Sequence, residues 1–438
     1  MKLRSMPWLF PGLAMSLGWG LRGFIGGGPL GAMIPGSMVA LAVCLLAGRG
    51  NASAAVAAAF GALGVGFGGE MTYGQTVGFI VNSETFWWGL LGLSVKGAVW
   101  GLLGGAVLGV GLTRSRWSLA QVIPGVVLMV AGTHLGWKLI NEPKLIYFSN
   151  PLDRPRAEIW AGLLAGALLL LAWLWRQKLA AVPAGLAAAG FLGGGAGFGL
   201  GGALMALGRT LPVDHRWFDW WKLMEFTFGF LFGAALGAAA RRLRRQWAEG
   251  STSEVRRASR ALPVALVVAV SLALGAAFLW AEEGLGLRYS FVVAATALLA
   301  VSALWAGLSW QIAITIPYAA AALDLVTYFA IERKIGGILP GGAFALITTL
   351  ALSILVAQRH ARELPMTAWS FLVLTWTSVG ISWLKTFMHP WPQYGHLIVQ
   401  AVFTVMAIAL TGLTRSCVAD YGALQAQPRG RAAAMSPD

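Results

Sequence analysis

Charged residues are scarce in this chain, and their scarcity limits the class of protein that the sequence can encode. Only 11% of the 438 residues are Asp, Glu, Lys or Arg, whereas 58% are hydrophobic and the mean hydropathy is +0.71. In soluble domains about a quarter of the residues are charged, so this composition excludes an ordinary soluble protein. Apolar runs reach the roughly 20 residues that a bilayer-spanning helix needs. The sequence therefore predicts an all-α, polytopic membrane protein.

Cysteine and histidine are also rare, which argues against disulfide and metal chemistry. The two cysteines, Cys44 and Cys417, lie in or beside predicted spans and suggest no disulfide framework. The five histidines are scattered without the spacing of zinc ligands. Neither a Gly-x-Ser-x-Gly nucleophile motif nor a Gly-x-x-x-x-Gly-Lys-Ser/Thr phosphate loop is present. We therefore expect no cofactor, no metal site and no catalytic residues.

Basic residues outnumber acidic ones, with 32 Lys and Arg against 17 Asp and Glu and a net charge of +15. When the apolar segments are divided into about fourteen spans of bilayer length, most cations fall on the face that holds the N-terminus. This asymmetry follows the positive-inside rule. It predicts a multi-pass protein of a bacterial-type inner membrane with both termini in the cytoplasm. The same distribution argues against a nucleic-acid partner.

Two stretches of the chain resemble each other. Residues 64–68 read GVGFG and residues 195–199 read GAGFG, and each stretch is followed by adjacent tryptophans, Trp87–Trp88 and Trp220–Trp221. In many transporters, duplicated multi-helix units form a site between two halves. We therefore predict two parallel four-helix repeats followed by a six-helix unit.

The predicted domain boundaries follow the charge pattern and the loops. They comprise a first repeat at 1–120, a second repeat at 121–245, a basic cytoplasmic linker at 246–261, a six-helix unit at 262–415 and a disordered cytoplasmic tail at 416–438.

Ionisable residues inside the predicted spans are the strongest indication of a functional site, because charge in hydrocarbon is costly unless it is paired or hydrated. Lys96 lies near the middle of its span, Glu225 lies in the corresponding span of the second repeat, and Asp324 lies in the outer third of a later span. We hypothesise that Lys96 pairs with Glu225 or Asp324 and that the pair lines a transport path. Structural pairing without transport is the alternative.

A second cluster is expected where glycine-rich helices reach the predicted outer side. Glu70 follows Gly68 and Gly69, and Arg22 precedes a helix break at 26–29, which reads GGGP. Irregular backbone at membrane depth is tolerated only where it is buried or faces water. Arg22 and Glu70 are therefore predicted to form either a gate or an ordinary interfacial ion pair.

Further candidates for binding or gating are Gln75, Trp88, Lys138 and Trp221, which lie on the same predicted side. Amides and aromatic faces suit a sugar, and basic residues suit a carboxylate or a phosphate. Tryptophan also concentrates at membrane interfaces without any binding role. An aromatic belt is therefore the alternative interpretation of the tryptophans.

These features favour a secondary transporter, and specifically a symporter, of a small polar or anionic solute such as a sugar. Its expected partners are the lipid bilayer, the solute and a proton or sodium ion. With no nucleotide site, the simplest mechanism couples transport to an ion gradient through Glu70, Glu225 or Asp324.

Two other functions stay open at this point. One is a membrane-embedded transferase or hydrolase that acts on a lipid-linked substrate at the outer leaflet, with Asp214, His215, Glu282 and Glu283 as acid–base groups. The other is a non-catalytic membrane subunit of a larger complex.

Overall fold

The computed structural model of the chain describes residues 6–150, 158–213, 217–248, 263–270, 272–273, 290–334, 337–388 and 394–426. In this part of the chain, every regular element is a helix. We number the longer helical elements in chain order: α1 Leu9–Ile25, α2 Gly28–Ala47, α3 Asn51–Gly68, α4 Gly74–Val81, α5 Phe86–Leu112, α6 Leu119–Asn141, α7 Trp160–Arg176, α8 Ala181–Thr210, α9 Trp220–Arg242, α10 Arg244–Ala248, α11 Ser290–Leu304, α12 Ala306–Glu332, α13 Ile338–Ala361, α14 Thr367–Phe387 and α15 Tyr394–Ala426.

Many of these helices have the length and composition of membrane spans. Within the described residues, nine helical segments are long and apolar enough to cross a bilayer, and α7 and most of α11 are shorter apolar helices. The all-helical prediction is confirmed for the described residues, and the helices fit a multi-pass membrane protein. The count of about fourteen spans stays a prediction, since part of the span expected near 262–281 lies outside the described residues.

Local sequence accounts for several helix ends. Ser118 and Gln121 form a capping box at the start of α6. The Asp219 carboxylate accepts a hydrogen bond from the Lys222 backbone N–H at 3.1 Å and caps α9, and Gly48 ends α2 with a left-handed backbone conformation. These are ordinary side-chain and glycine signals for helix ends. The cap at Asp219 fixes the first turns of α9, which carry part of the site described below.

The interior of the bundle is organised by close contacts between glycines. Helix α5 packs along α8, where Gly97 faces Gly194 and Gly101 faces Gly190, backbone against backbone. Between α1 and α9 each close contact has a glycine on one side only, as where Gly233 of α9 lies against the Pro11 carbonyl of α1. Gly36 of α2 packs against Gly61 of α3. Small residues let helices approach closely in a lipid environment. The glycine-rich sequence therefore encodes close helix packing.

The two predicted repeats share part of their packing. In the first repeat α1 lies against α2 and α3 against α5, and in the second α6 lies against α7 and α8 against α9. Helix α2 also packs extensively on α3, whereas the corresponding helices α7 and α8 hardly touch. The two quartets thus agree in two pairs of helices and differ in a third, and the duplication stays a prediction.

The first part of the C-terminal tail differs in structure from the sequence prediction. Helix α15 continues to Ala426, so the tail predicted to be disordered from residue 416 is helical over its first part. An apolar span that extends into a polar segment can stay helical, because helix formation propagates once a helix has been nucleated. The rest of the tail lies outside the described residues, as does the predicted linker from residue 249 onward.

Candidate functional site

An open cavity of about 570 Å³ lies where α1 ends and where α2, α4 and α9 begin. Its volume is within the range of small-molecule sites. Its lining combines glycines with polar and aromatic side chains: Arg22, Gly23, Gly27, Gly28, Gly69, Met71, Thr72, Tyr73, Gly74, Gln75, Trp221 and Glu225. The cavity therefore contains four of the residues that the sequence singled out, namely Arg22, Gln75, Trp221 and Glu225.

The backbone around the cavity is shaped by the glycine-rich break between α1 and α2. Gly26 has φ 138° and Gly28 has φ 65°, which are values that residues with a Cβ atom rarely adopt. A Cβ atom at Gly69 would overlap the backbone of Gly28 and Pro29, so the end of α3 lies directly against the break. The helix break expected at 26–29 is thus confirmed.

Arg22 is a buried cation at the edge of this cavity, with 3% of its surface exposed. Its Nη1 donates to the Tyr73 hydroxyl at 3.0 Å, and its Nη2 donates to the Gly28 carbonyl at 3.3 Å. The guanidinium also lies 5.1 to 5.6 Å from the ring centres of Trp19, Tyr73 and Trp100. Its neighbours are thus neutral dipoles and aromatic faces.

Glu225 is fully buried and receives several hydrogen bonds at once. Its Oε1 accepts from the Trp221 indole N–H at 2.9 Å and from the Tyr73 hydroxyl at 3.1 Å. Its Oε2 lies 2.5 Å from the Lys222 ammonium, which also donates to the Gly20 carbonyl at 3.3 Å. A Cβ atom at Gly23 would overlap this carboxylate, so a glycine at position 23 gives Glu225 the space it occupies.

Tyr73 connects the two charged centres, since its hydroxyl accepts from Arg22 and donates to Glu225. Burial raises the pKa of Tyr73, and the Glu225 carboxylate raises it further. The phenol therefore stays protonated at neutral pH and remains a donor. Its ring stacks on Trp221 at 5.7 Å, which holds both aromatic side chains at the cavity wall.

The prediction that Lys96 pairs with Glu225 or Asp324 is wrong. The Lys96 ammonium instead lies 2.9 Å from Glu158, and it also donates to the Thr72 carbonyl and the Thr76 hydroxyl, at 2.7 Å each. Glu158 precedes α7 and also accepts hydrogen bonds from the backbone N–H of Phe148. Phe148 and Glu158, which lie between α6 and α7, are therefore in contact, and Glu158 supplies the carboxylate that pairs with Lys96.

Arg22 does not pair with Glu70. It donates to Tyr73 and Gly28, and none of the ion pairs in the described part of the chain includes it. Glu70 follows Gly69 in the turn after α3, between two residues that line the cavity. The Tyr73 hydroxyl is the group that contacts the Arg22 guanidinium, which explains why the simple gate pair is not formed.

Asp324 belongs to a second charged pair near the break between α1 and α2. Its carboxylate accepts a hydrogen bond from Lys385 at 2.7 Å. A Cβ atom placed on Gly26 would lie 3.7 Å from the Asp324 Cβ. Asp324 therefore approaches the backbone beside the cavity but is not among the lining residues.

Two of the predicted site residues lie away from the cavity. Trp88 is partly exposed, donates to the Tyr147 carbonyl at 3.2 Å and packs on Phe148. Lys138, on α6, forms an exposed ion pair with Glu142, the residue that directly follows this helix. Gln75, by contrast, lines the cavity and accepts a hydrogen bond from the Asn150 N–H at 3.3 Å.

The acid–base groups predicted for an enzyme lie outside the described residues. They are Asp214, His215, Glu282 and Glu283.

Sequence reasoning missed three residues of this network. Lys222 lies three positions before Glu225 on α9, a spacing that places both on one helix face, so it was available from the sequence. Tyr73 had only its position beside Gln75 as a signal. Glu158 had none, because its contact with Lys96 joins segments that are distant along the chain.

In the described part of the chain, no group of three or more His, Cys, Asp or Glu residues could hold a metal ion. Comparison with known proteins found no matching family model, no matching curated protein and no matching solved structure. The functional argument therefore depends on the geometry of the cavity and its charged residues.

Proposed function

We propose that this protein is a secondary transporter that binds a small polar or anionic solute in the cavity and is driven by a proton or sodium gradient. One observation carries the proposal: a cavity of about 570 Å³, lined by the buried Arg22 and Glu225, opens at the break between α1 and the apolar helix α2. Charged residues inside membrane helices are expensive and usually mark a path for a solute or an ion.

The position of the cavity supports this function. Interrupted helices are a common way to form substrate sites in transporters, because unwound backbone exposes polar groups to the ligand. Here the interruption is 26–27, between α1 and α2, and the next two residues, Gly28 and Pro29, lie against Gly69 at the end of α3. By the positive-inside rule the cavity faces the outer side of a bacterial-type inner membrane, with both termini in the cytoplasm.

Glu225 is the best candidate for the group that couples transport to an ion. Its carboxylate lines the cavity, so a proton or sodium ion that reaches the cavity also reaches it. Its neighbours are the donors Tyr73, Trp221 and Lys222. A change in its charge would alter all three hydrogen bonds, and through Tyr73 it would reach Arg22.

Uptake into proteoliposomes tests the function. The full chain is reconstituted, and accumulation of labelled lactate, benzoate, inorganic phosphate and glucose is measured under an imposed proton gradient and, separately, a sodium gradient. We expect saturable accumulation of at least one probe. In Glu225→Gln, accumulation driven by the gradient should fall at least about tenfold, because an amide cannot carry the ion. Exchange of solute across the membrane should persist.

The matched control is Glu142→Gln, which removes a carboxylate from the exposed pair with Lys138 and should leave uptake unchanged. Thermal unfolding of both variants in detergent checks that each is folded. Gradient-driven accumulation that is equal in Glu225→Gln and in the unmodified chain would contradict the coupling role. If none of the four probes accumulates under either gradient, the transporter proposal is wrong.

A further inference from the structure

We infer that the cavity recognises its solute through an oxyanion, a carboxylate or a phosphate, which is bound by the Arg22 guanidinium and by the backbone N–H groups that begin α2 and α4. This inference rests on the proposed function and narrows the solute to a small organic anion. It depends on the charges, the helix ends and the aromatic wall of the cavity, which are taken in turn.

The two charged residues that line the cavity, Arg22 and Glu225, differ in their partners. Glu225 is neutralised by Lys222, whose ammonium lies 2.5 Å from its Oε2. Arg22 takes part in none of the ion pairs that the described residues form. Its link to Glu225 runs through the neutral Tyr73 hydroxyl. Of the two charged residues that line the cavity, Arg22 is therefore the one with no ion-pair partner among the described residues.

The surroundings of Arg22 stabilise a cation without neutralising it. Three aromatic rings lie within 6 Å of the guanidinium carbon, and such contacts favour a positive charge. Its Nε–H is buried and has no acceptor among the described residues. Leaving a buried charge or donor unpaired is costly. An anion in the cavity would supply both the missing charge and hydrogen-bond acceptors.

Two helix N-termini reinforce the preference for negative charge. Helix α2 begins at Gly28 and α4 begins at Gly74, and neither has a hydrogen bond from a capping side chain. Gly27, Gly28 and Gly74 all line the cavity. The first N–H groups of a helix have no acceptor within the helix, and the helix dipole makes this end positive. In α2 they belong to Gly28 and Leu30, since Pro29 has no N–H. Together with Arg22, they form an arrangement that commonly binds carboxylates and phosphates.

The rest of the lining indicates the size and character of the anion. Trp221 and Tyr73 stack on one another at the wall, and aromatic faces cover the apolar part of a ligand. Because a single lining cation, Arg22, has no carboxylate bonded to it, a monoanion is the best match. A neutral sugar would leave Arg22 without a counter-charge, so the oxyanion is favoured over the sugar.

Matched pairs of probes test the inference without knowledge of the natural solute. The purified full chain is placed in phosphatidylcholine nanodiscs, and binding is measured calorimetrically for benzoate against benzamide and for lactate against lactamide, with inorganic phosphate as a fifth probe. Each pair differs mainly in charge. Hydrogen bonds between two charged groups are about twice as strong as those between neutral groups, so we expect each carboxylate to bind at least about tenfold more tightly than its amide.

Variants locate the binding to the cavity. Arg22→Gln should remove the preference for the carboxylate, and Arg22→Lys should restore part of it. Because Arg22 is buried and its loss could prevent folding, Gly27→Leu provides a second test. Nothing lies within 4 Å of a Cβ atom at Gly27, and its backbone conformation is ordinary, so the leucine should fold normally and block the site. Gly50→Leu is the matched control, since Gly50 caps α3 with equally open space.

The outcomes separate the alternatives. Equal affinity for acid and amide, or failure of all three anions to bind, would overturn the inference. Competition by phosphatidylglycerol that depends on Arg22 would support an oxyanion site and identify a lipid headgroup as its source. Binding of benzoate without uptake would support the oxyanion site and contradict the transporter. Uptake of glucose that is unaffected by Arg22→Gln would support the transporter and overturn the oxyanion site.

Discussion

Replacing Lys96 with methionine is expected to destabilise the protein by about 3–5 kcal/mol, because removal of one partner from a buried ion pair leaves the other charge unpaired. Lys96 and Glu158 are exposed by only 1% and 0%. Without the ammonium, the Glu158 carboxylate would lose the cation that lies 2.9 Å from it, whereas its bonds from the Phe148 N–H and the Ser149 hydroxyl would remain. Thermal and denaturant unfolding in detergent measure the loss of stability.

The exposed pair of Lys138 and Glu142 is the matched control. Its side chains are 56% and 35% exposed, and surface ion pairs contribute about 0–1 kcal/mol. Lys138→Met should therefore change stability little. The double variant Lys96→Met/Glu158→Gln should be more stable than Lys96→Met alone, since it carries no uncompensated charge. Equal losses for Lys96→Met and Lys138→Met would show that the buried pair is not important for stability.

The Lys96 pair also affects the cavity, although neither residue lines it. Lys96 donates to the Thr72 carbonyl, and Thr72 is part of the cavity wall. Gln75, on the next turn of the chain, accepts from Asn150 in the loop that precedes Glu158. Lys96 is therefore a positioning residue for the wall. Its loss should weaken solute binding even under conditions where the variant stays folded.

The helices were predictable because their signal is local. Apolar runs predicted spans at 29–48, 52–70 and 85–112, and the structure has helices at Gly28–Ala47, Asn51–Gly68 and Phe86–Leu112. Each boundary is set by residues within a few positions, such as Gly48 at the end of α2. The short helix α4 was not predicted, because eight residues within a polar connection are too few to show a helical periodicity of apolar residues.

The sequence indicated several of the residues that line the cavity, but it did not indicate which charged residues form ion pairs. Arg22, Trp221 and Glu225 line one cavity, and the sequence indicated each of them as an ionisable or aromatic residue in or near a predicted span. Which carboxylate neutralises Lys96 depends on how the α6–α7 loop packs, and no local pattern contains that information. The sequence alignment between repeats suggested Glu225, but Glu225 is already paired with Lys222 on its own helix.

Replacing Gly101 with valine is expected to destabilise the protein by about 3 kcal/mol, toward the upper end of the cost of overpacking a well-packed interior. A Cβ atom at Gly101 would overlap the backbone carbonyl of Gly190, and a Cβ atom at Gly190 would overlap that of Gly101. Backbone cannot move aside as a flexible side chain can, so α5 and α8 would have to separate. Unfolding in detergent, followed by circular dichroism, measures the change.

Gly380 provides the control for this experiment, because it also lies inside a helix, α14, but nothing is within 4 Å of its Cβ position. Gly380→Val should stay within about 0.5 kcal/mol of the unmodified chain, as substitutions at unconstrained surface positions usually do. A comparable loss for both variants would mean that valine acts through the helix itself and not through the α5–α8 contact. A selective loss at Gly101 would instead assign the central packing to direct contact between the two glycine backbones.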